Sequence, residues 1–128
     1  PMADPAPASL PPKRPLRQDG VLKADLCIIG AGSGGLSVAA GAVQMGASVV
    51  LIEKGEMGGD CLNTGCVPSK ALIAAAHAAQ AVRDGQRFGV HAAEPEIRFE
   101  EVHAHVHGVI GAIAPHDSVE RFERLGVH

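Results

Sequence analysis

The sequence predicts an α/β fold built on one parallel βαβ unit with flanking helices. Two apolar runs of strand length, ADLCII at 24–29 and SVVLIE at 48–53, favour buried strands. Between them, the glycine-rich turn GAGSGG leads into a small-residue pattern, LSVAAGAVQMGA, that is typical of a helix. Strand, helix and strand in this order make a parallel pair with a right-handed crossover. We expect the parallel sheet that this unit begins to be incomplete.

Residues 1–20 precede this unit and contain six of the nine prolines. Their few apolar side chains cannot support a core, so we expect a flexible, proline-rich lead-in. Lys13, Arg14 and Arg17 would suit a transit peptide, but the proline spacing opposes the amphipathic helix that such peptides form. Residues 21–128 are then expected to form the folded part.

The turn GAGSGG carries a GxGxxG fingerprint made by Gly30, Gly32 and Gly35. The first glycine permits a tight turn, the second a close approach to a pyrophosphate, and the third close packing of helix on strand. Glu53, twenty-three residues after Gly30, ends the second strand, where a carboxylate can accept hydrogen bonds from an adenosine ribose. A glycine-rich loop can be only a turn, but this spacing predicts a Rossmann-like dinucleotide site. An acid at Glu53 would repel the 2′-phosphate of NADP.

The segment GGDCLNTGCVPSK holds Cys61 and Cys66, five positions apart. On a regular helix their Cα atoms would lie roughly 8–9 Å apart, whereas a disulfide needs about 4.4–6.8 Å. If the thiols pair, the backbone between them must leave the helical conformation, which Asn63, Gly65 and Pro68 permit. Strain of this kind makes a disulfide easier to reduce, so we interpret the cysteines as a redox pair.

Two other interpretations of these cysteines stay open. They could be half of a zinc site, although the third cysteine, Cys27, lies in an apolar run and supplies no second pair. They could also be buried thiols without a chemical role. The neighbouring nucleotide unit favours a redox pair and FAD rather than NAD, because a flavin can pass two electrons to a disulfide. Lys70 would then stabilise a thiolate, unless it is only a solvated lysine on an exposed helix.

The sequence after Lys70 predicts mainly helices. An alanine-rich pattern follows Lys70 and ends at Gly85, and residues 86–98 are expected to be a loop. A long helix is expected from residue 99, with an irregularity at Pro115 and a stop at Gly126, after which Val127 would begin another strand.

The HxHxH motif in this last helix comprises His103, His105 and His107. On a helix His103 and His107 share one face and His105 points away, so at most two could bind one ion. We favour a solvated helix face and predict no metal site.

Composition narrows the functional class. The chain has 128 residues, a hydrophobic fraction of 46% and a net charge of −3, which favours one globular unit. Without a basic excess, and with no Trp, no Tyr and three Phe, nucleic-acid binding is not expected. No apolar run approaches the roughly 18 residues of a membrane span. Three cysteines make no secreted disulfide framework, so we expect a cytoplasmic protein.

The motifs GAGSGG, VVLIEK and GGDCLNTGCVPSKAL resemble those of the class I pyridine nucleotide-disulfide oxidoreductases, over residues 24–82. The resemblance implies that Cys61 attacks the substrate and that Cys66 lies against the flavin as the charge-transfer thiolate. It further implies that Lys70 lies close to the flavin ring. Implied residues that line the FAD are Gly30, Gly32, Ser33, Gly34, Gly35, Glu53, Lys54, Gly59 and Asp60. The pair Ser69–Lys70 favours the branch with dihydrolipoamide dehydrogenase and mercuric reductase.

The resemblance also implies two further domains, one for NAD(P)H and one for dimerisation, the latter supplying a histidine and a glutamate as acid and base. No second GxGxxG follows residue 58, so residues 21–128 are interpreted as the N-terminal part of an FAD-binding domain. The expected function is an FAD-dependent NAD(P)H:disulfide oxidoreductase, homodimeric when full length, that acts on a small disulfide or a metal ion. This chain alone is expected to be inactive. The alternative is a nucleotide-binding module with structural thiols and no redox turnover.

Overall fold

The polypeptide divides into two compact units in a computed structural model that describes residues 13–128. The described part of the first unit comprises residues 13–59 and 116–128, and the second unit comprises residues 60–115. The strands are β1 (Leu16–Gln18), β2 (Val21–Lys23), β3 (Leu26–Ile29) and β4 (Val49–Ile52). The α-helices are α1 (Ser33–Gln44), α2 (Gly59–Asn63), α3 (Cys66–Asp84), α4 (Phe99–Ile113) and α5 (Val119–Leu125). Short 3₁₀ helices occupy Gly85–Phe88 and Ala114–Asp117.

The first unit contains the predicted parallel βαβ motif. β3 pairs with β4 in parallel, with Leu26 opposite Val49 and Ile29 opposite Ile52, and α1 makes the crossover. On the other side of β4, Val127 forms a parallel bridge with Val49. The N–H of His128 donates to the Val49 carbonyl at 2.9 Å, which extends this pairing. Val127 was predicted to begin another strand, and the structure shows an isolated bridge at this residue.

Small side chains bring α1 close to the sheet. The buried residues of α1 are Leu36, Ala39 and Val43, three and four positions apart, which is the spacing of one helix face. They pack in one cluster with Ala31 of the glycine turn and with residues from β4, α5 and the segment after α5. The members of this core are Ala31, Leu36, Ala39, Val43, Val49, Phe122 and Val127.

The third glycine of the fingerprint is fixed by this close packing. A Cβ atom built on Gly35 would lie 1.9 Å from the carbonyl oxygen of Gly30, where no side chain fits. A Cβ atom on Gly34, the preceding residue of α1, would meet nothing within 4 Å. The packing role predicted for Gly35 is therefore confirmed.

Asp25 and Ser48 join the two strands just before β3 and β4 begin. The Ser48 N–H and hydroxyl both donate to Oδ2 of Asp25, each at 2.9 Å, and the Asp25 N–H donates back to the Ser48 hydroxyl at 2.8 Å. The backbone bond from Ser48, followed by its hydroxyl bond, lowers the pKa of the Asp25 carboxyl. This pair helps to set the register of the sheet, and sequence analysis did not identify it.

β1 and β2 form an antiparallel hairpin that was also not predicted. Asp19 and Gly20 connect them with φ angles of 50° and 78°, and two positive angles are the requirement of a type I′ turn. Residues 16–18 thus form a strand within the segment predicted to be a flexible lead-in. The part of that prediction that concerns residues 1–12 lies outside the described residues.

In the second unit α3 packs against α4. α3 ends before Gly85, as predicted, but begins at Cys66, five residues earlier than the alanine-rich pattern indicated. Pro68 is compatible with this start because the N–H groups of a first helical turn need no partner within the helix. Part of the loop predicted over residues 86–98 is instead 3₁₀ helix.

The last predicted helix is interrupted at Pro115 and ends at Gly126, and both predictions are confirmed. The 3₁₀ helix at Ala114–Asp117 separates α4 from α5. Ser118 caps α5 by accepting a hydrogen bond from the Arg121 N–H, and Gly126 follows α5 with a φ of 102°. None of the helices within residues 13–128 is long and apolar enough to cross a membrane.

The close approach of α1 to the glycine turn gives a testable difference between two adjacent glycines. Gly35→Ala should destabilise the chain by about 3 kcal/mol, because its Cβ would overlap a backbone carbonyl. Gly34→Ala should leave the stability unchanged or raise it by up to about 1 kcal/mol, because alanine favours the helix. Urea unfolding followed by circular dichroism measures both, and equal stabilities of the two variants would contradict the packing argument.

Candidate active site

The glycine turn lies at the carboxyl end of β3, where α1 begins. Gly30 has a φ of 101°, which side chains disfavour, and its N–H donates to the Ile52 carbonyl at 2.8 Å. Gly32 precedes α1 in an extended conformation, and a Cβ atom on Gly32 would meet nothing within 4 Å. The first N–H groups of α1, from Ser33 onwards, point towards this open side. The turn therefore has the space and the donors that a pyrophosphate requires.

The carboxylate of Glu53 holds this turn. Its Oε2 accepts a hydrogen bond from the Ala31 N–H at 2.5 Å, and its Oε1 accepts one from the Gly55 N–H at 2.8 Å. These two bonds, that from Ala31 first, lower the pKa of the Glu53 carboxyl and keep it ionised. Each carboxylate oxygen retains a second lone pair, so a ribose could still donate to it. Glu53 thus has a structural role that sequence analysis did not predict.

The loop after Glu53 returns to the same turn. The Gly58 N–H donates to the Ala31 carbonyl at 2.9 Å, and Gly58 forms a parallel bridge with Gly32. A Cβ atom on Gly59 would lie 2.9 Å from the Gly32 Cα, and both Gly58 and Gly59 have positive φ angles. The sequence GG at 58–59 is therefore required by the close approach of two backbones. Lys54 lies at the start of this loop and is exposed.

In the second unit, a break between α2 and α3 separates the two cysteines. Gly65 has φ and ψ angles of −116° and −107°, outside the helical region, and a Cβ atom there would lie 2.8 Å from the Asp60 carbonyl oxygen. The Thr64 N–H donates to that same oxygen at 3.0 Å. The predicted departure from helix is confirmed, but it lies at residues 64–65. Asn63 ends α2 and Pro68 lies inside α3, so neither makes the break.

The thiols of Cys61 and Cys66 are free, and Cys66 shifts the pKa of Cys61. Cys61 is half-buried and Cys66 is exposed. The hydrogen bond with the Cys66 thiol raises the pKa of Cys61, and burial and the charge of Cys66 raise it further. The Cys66 N–H and the Lys70 ammonium act in the opposite direction. The second unit thus brings together the three residues that sequence analysis grouped in this segment, whereas Cys27 lies in β3 of the first unit.

The predicted site residues therefore fall into two groups. Those of the first unit are Gly30, Gly32, Ser33, Gly34, Gly35, Glu53, Lys54 and Gly59, and those of the second unit are Asp60, Cys61, Cys66 and Lys70. Sequence analysis missed Ala31, whose N–H and carbonyl both bind the loop 53–58. The sequence feature that could have indicated this contact is the glycine pair at 58–59, which follows Glu53 at the end of a strand.

Comparison with known proteins identifies the family. The family model described as pyridine nucleotide-disulphide oxidoreductase matches residues 24–123. The chain belongs to the pyridine nucleotide-disulphide oxidoreductase family. Both the glycine turn and the dithiol segment lie within the matched region.

Individual relatives each match part of this chain. A mercuric reductase of Streptomyces lividans is 50% identical over 76 residues, which are 59% of this chain and 16% of the relative. A dihydrolipoyl dehydrogenase of Geobacillus stearothermophilus is 40% identical over 84 residues, 66% of this chain and 18% of the relative. The dihydrolipoyl dehydrogenase of Chlamydia trachomatis is 51% identical over 67 residues, 52% of this chain and 14% of the relative. The chain thus spans less than a fifth of the length of these relatives.

The lowered pKa of Glu53 predicts how the stability of the folded chain depends on pH. Because the folded-state pKa lies below the unfolded value of about 4.3, the stabilisation is complete above that pH and is lost as the pH falls through the folded-state pKa. Glu53→Gln should be less stable than the wild type at pH 7, and the difference should shrink below about pH 4. Urea midpoints at a series of pH values measure it. Glu56→Gln, in the same loop, serves as the control, and a pH-independent difference for Glu53→Gln would refute this account.

The contact between the thiols predicts a change in the reactivity of Cys61. Cys66→Ala removes the hydrogen bond that contributes most to the raised pKa of Cys61, so Cys61 should become alkylated at lower pH. Iodoacetamide labelling of Cys61 across a pH series, quantified by mass spectrometry, measures this shift. Cys27→Ala is the matched control and should leave the profile in place. A profile that does not move in Cys66→Ala would show that the thiols do not interact.

Proposed function

We propose that this chain is the N-terminal, FAD-binding part of an FAD-dependent NAD(P)H:disulfide oxidoreductase of the dihydrolipoyl dehydrogenase or mercuric reductase kind. The observation that carries the proposal is the helix break at Gly65, which sets Cys61 on α2 and Cys66 at the start of α3 with their thiols interacting, in a member of this family. A break in the helix lets two cysteines five positions apart approach more closely than a regular helix would allow. In this proposal they are the redox-active pair.

The described residues of the first unit fit the phosphate and ribose parts of FAD. The open side of Gly32 and Gly34 would receive the pyrophosphate, and the Glu53 carboxylate would accept from the ribose. Lys54 and Gly59 are proposed to complete this binding surface, and Asp60, of the second unit, is proposed separately as a residue that binds the cofactor. FAD, when bound, would supply a two-electron redox centre that NAD(P)H can reduce.

The dithiol would carry out the reaction with the substrate. The Cys61 thiolate attacks one sulfur of a substrate disulfide, a mixed disulfide forms, and the first substrate thiol leaves with a proton. Cys66 then attacks the Cys61 sulfur and releases the second substrate thiol, which leaves a Cys61–Cys66 disulfide on the protein. The two electrons gained by the substrate have come from the two protein thiols. Lys70 would favour the thiolate that each step requires, since its charge lowers the pKa of Cys61.

The proposal extends to the activity of the longer protein of which this chain would be a part. The matched relatives are more than five times longer than the region they share with this chain, so domains for NAD(P)H and for homodimerisation are proposed to lie outside it. The chain alone would not turn over NAD(P)H. Its proposed substrate is a small disulfide or a metal ion, and its proposed compartment is the cytoplasm, where a catalytic disulfide can be reduced.

A second function is a nucleotide-binding module in which the cysteines stay reduced. The observation that favours it is that both thiols are free in the structure. In such a module the hydrogen bond between Cys61 and Cys66 would only help to hold α2 against the start of α3. The two functions differ in the number of electrons that the protein accepts.

An anaerobic titration with dithionite separates the two functions. The chain, oxidised in air and reconstituted with FAD, should accept about four electrons, two in the flavin and two in the disulfide. Cys66→Ser should accept about two and should lack the long-wavelength absorbance of a thiolate against the flavin. Cys27→Ser is the matched control and should accept about four. An uptake of two electrons by the wild type would support the nucleotide-binding module. If the chain takes up no FAD, the proposal that it binds this cofactor is wrong.

A further inference from the structure

His103 and His107 form a close pair on α4, away from the dithiol segment in sequence. They lie one helical turn apart and both are exposed. Their Nε2 atoms are 3.0 Å apart, and the two rings have centroids 4.3 Å apart with an angle of 55° between their planes. His105, between them in sequence, does not share this contact. The Nε2 atoms of the two rings therefore face each other at one point on the helix surface.

The distance between these nitrogens suits a particular coordination geometry. With metal–nitrogen bonds of about 2.0–2.1 Å, a separation of 3.0 Å corresponds to an angle of about 90–97° at the metal. Neighbouring ligands in square-planar and octahedral complexes meet at about 90°. A tetrahedral ion would need the nitrogens about 3.3–3.4 Å apart. The pair thus fits nickel(II) or copper(II) better than zinc(II).

We propose that His103 and His107 bind one divalent transition-metal ion of this geometry on the exposed face of α4. Glu100 lies one turn before His103 on α4. No cluster of three or more possible ligands occurs within residues 13–128, so water would complete the coordination shell. The sequence expectation of a merely solvated face did not include the distance between the two rings.

The site is separate from the proposed redox pair and does not depend on it. Imidazole nitrogen is the preferred protein ligand of nickel(II) and copper(II), whereas thiolates would compete for either ion. The three cysteines must therefore be blocked before binding is measured. A hydrogen bond between two neutral imidazoles would give the same 3.0 Å distance without any metal, and the experiment distinguishes the two.

Isothermal titration calorimetry with nickel(II), on the chain treated with iodoacetamide at pH 7.5, tests the proposal. The wild type should bind one nickel(II), and His103→Gln and His107→Gln should each lower the affinity by about tenfold or more, since even second-shell changes cost that much. His105→Gln is the matched control on the same helix and should bind as the wild type does. Zinc(II) should bind more weakly than nickel(II).

Circular dichroism of each variant excludes a loss of α4 as the cause of weaker binding. Nickel(II) should also raise the melting temperature of the wild type and of His105→Gln, but not of the other two variants, because an ion that binds only the folded chain stabilises it. If the affinity is the same in all four proteins, or falls equally in His105→Gln, the proposal is wrong and the contact is only a hydrogen bond between rings.

Discussion

The first unit depends on the hydrogen bonds that Ala31 makes with the loop after β4. Its N–H reaches the Glu53 carboxylate and its carbonyl accepts from Gly58, so both polar groups of one buried residue are used. A buried backbone group without a partner would cost free energy. These bonds also hold the two strand ends together, on the side where the glycine turn opens. The shape of the proposed phosphate site thus follows from the hydrogen bonds that the backbone N–H and carbonyl of Ala31 require.

The second unit meets a different constraint, which is to place two cysteines side by side on neighbouring helices. A continuous helix would separate them, so the chain ends α2, turns at Gly65 and starts α3 at Cys66. Only glycine fits at this turn, because a side chain would overlap the Asp60 carbonyl. The same turn puts Cys66 at the first position of a 19-residue helix.

Sequence reasoning identified the features that depend on local patterns and missed those that depend on contacts distant in sequence. The strand runs, the packing of Gly35 and the helix stop at Gly126 each follow from a periodicity or a residue type. The Asp25–Ser48 pair joins residues 23 positions apart, and nothing in the local sequence shows that they meet. The hairpin at Asp19–Gly20 had a local signal, but the prolines before it suggested an unstructured segment. The contact between His103 and His107 required ring orientations, which spacing alone does not give.

The state of Cys61 indicates what the proposed reaction still needs. Its raised pKa means that the thiol holds its proton in the reduced protein, although attack on a disulfide requires the thiolate. Among the described residues, the groups that shift this pKa are Cys66 and Lys70, and the ammonium of Lys70 stabilises a thiolate but does not remove a proton. A base is therefore required, and in the proposed function it would come from the part of the protein outside this chain. The electrostatics of one thiol thus agree with the proposal that the chain contributes half of an active site and does not turn over alone.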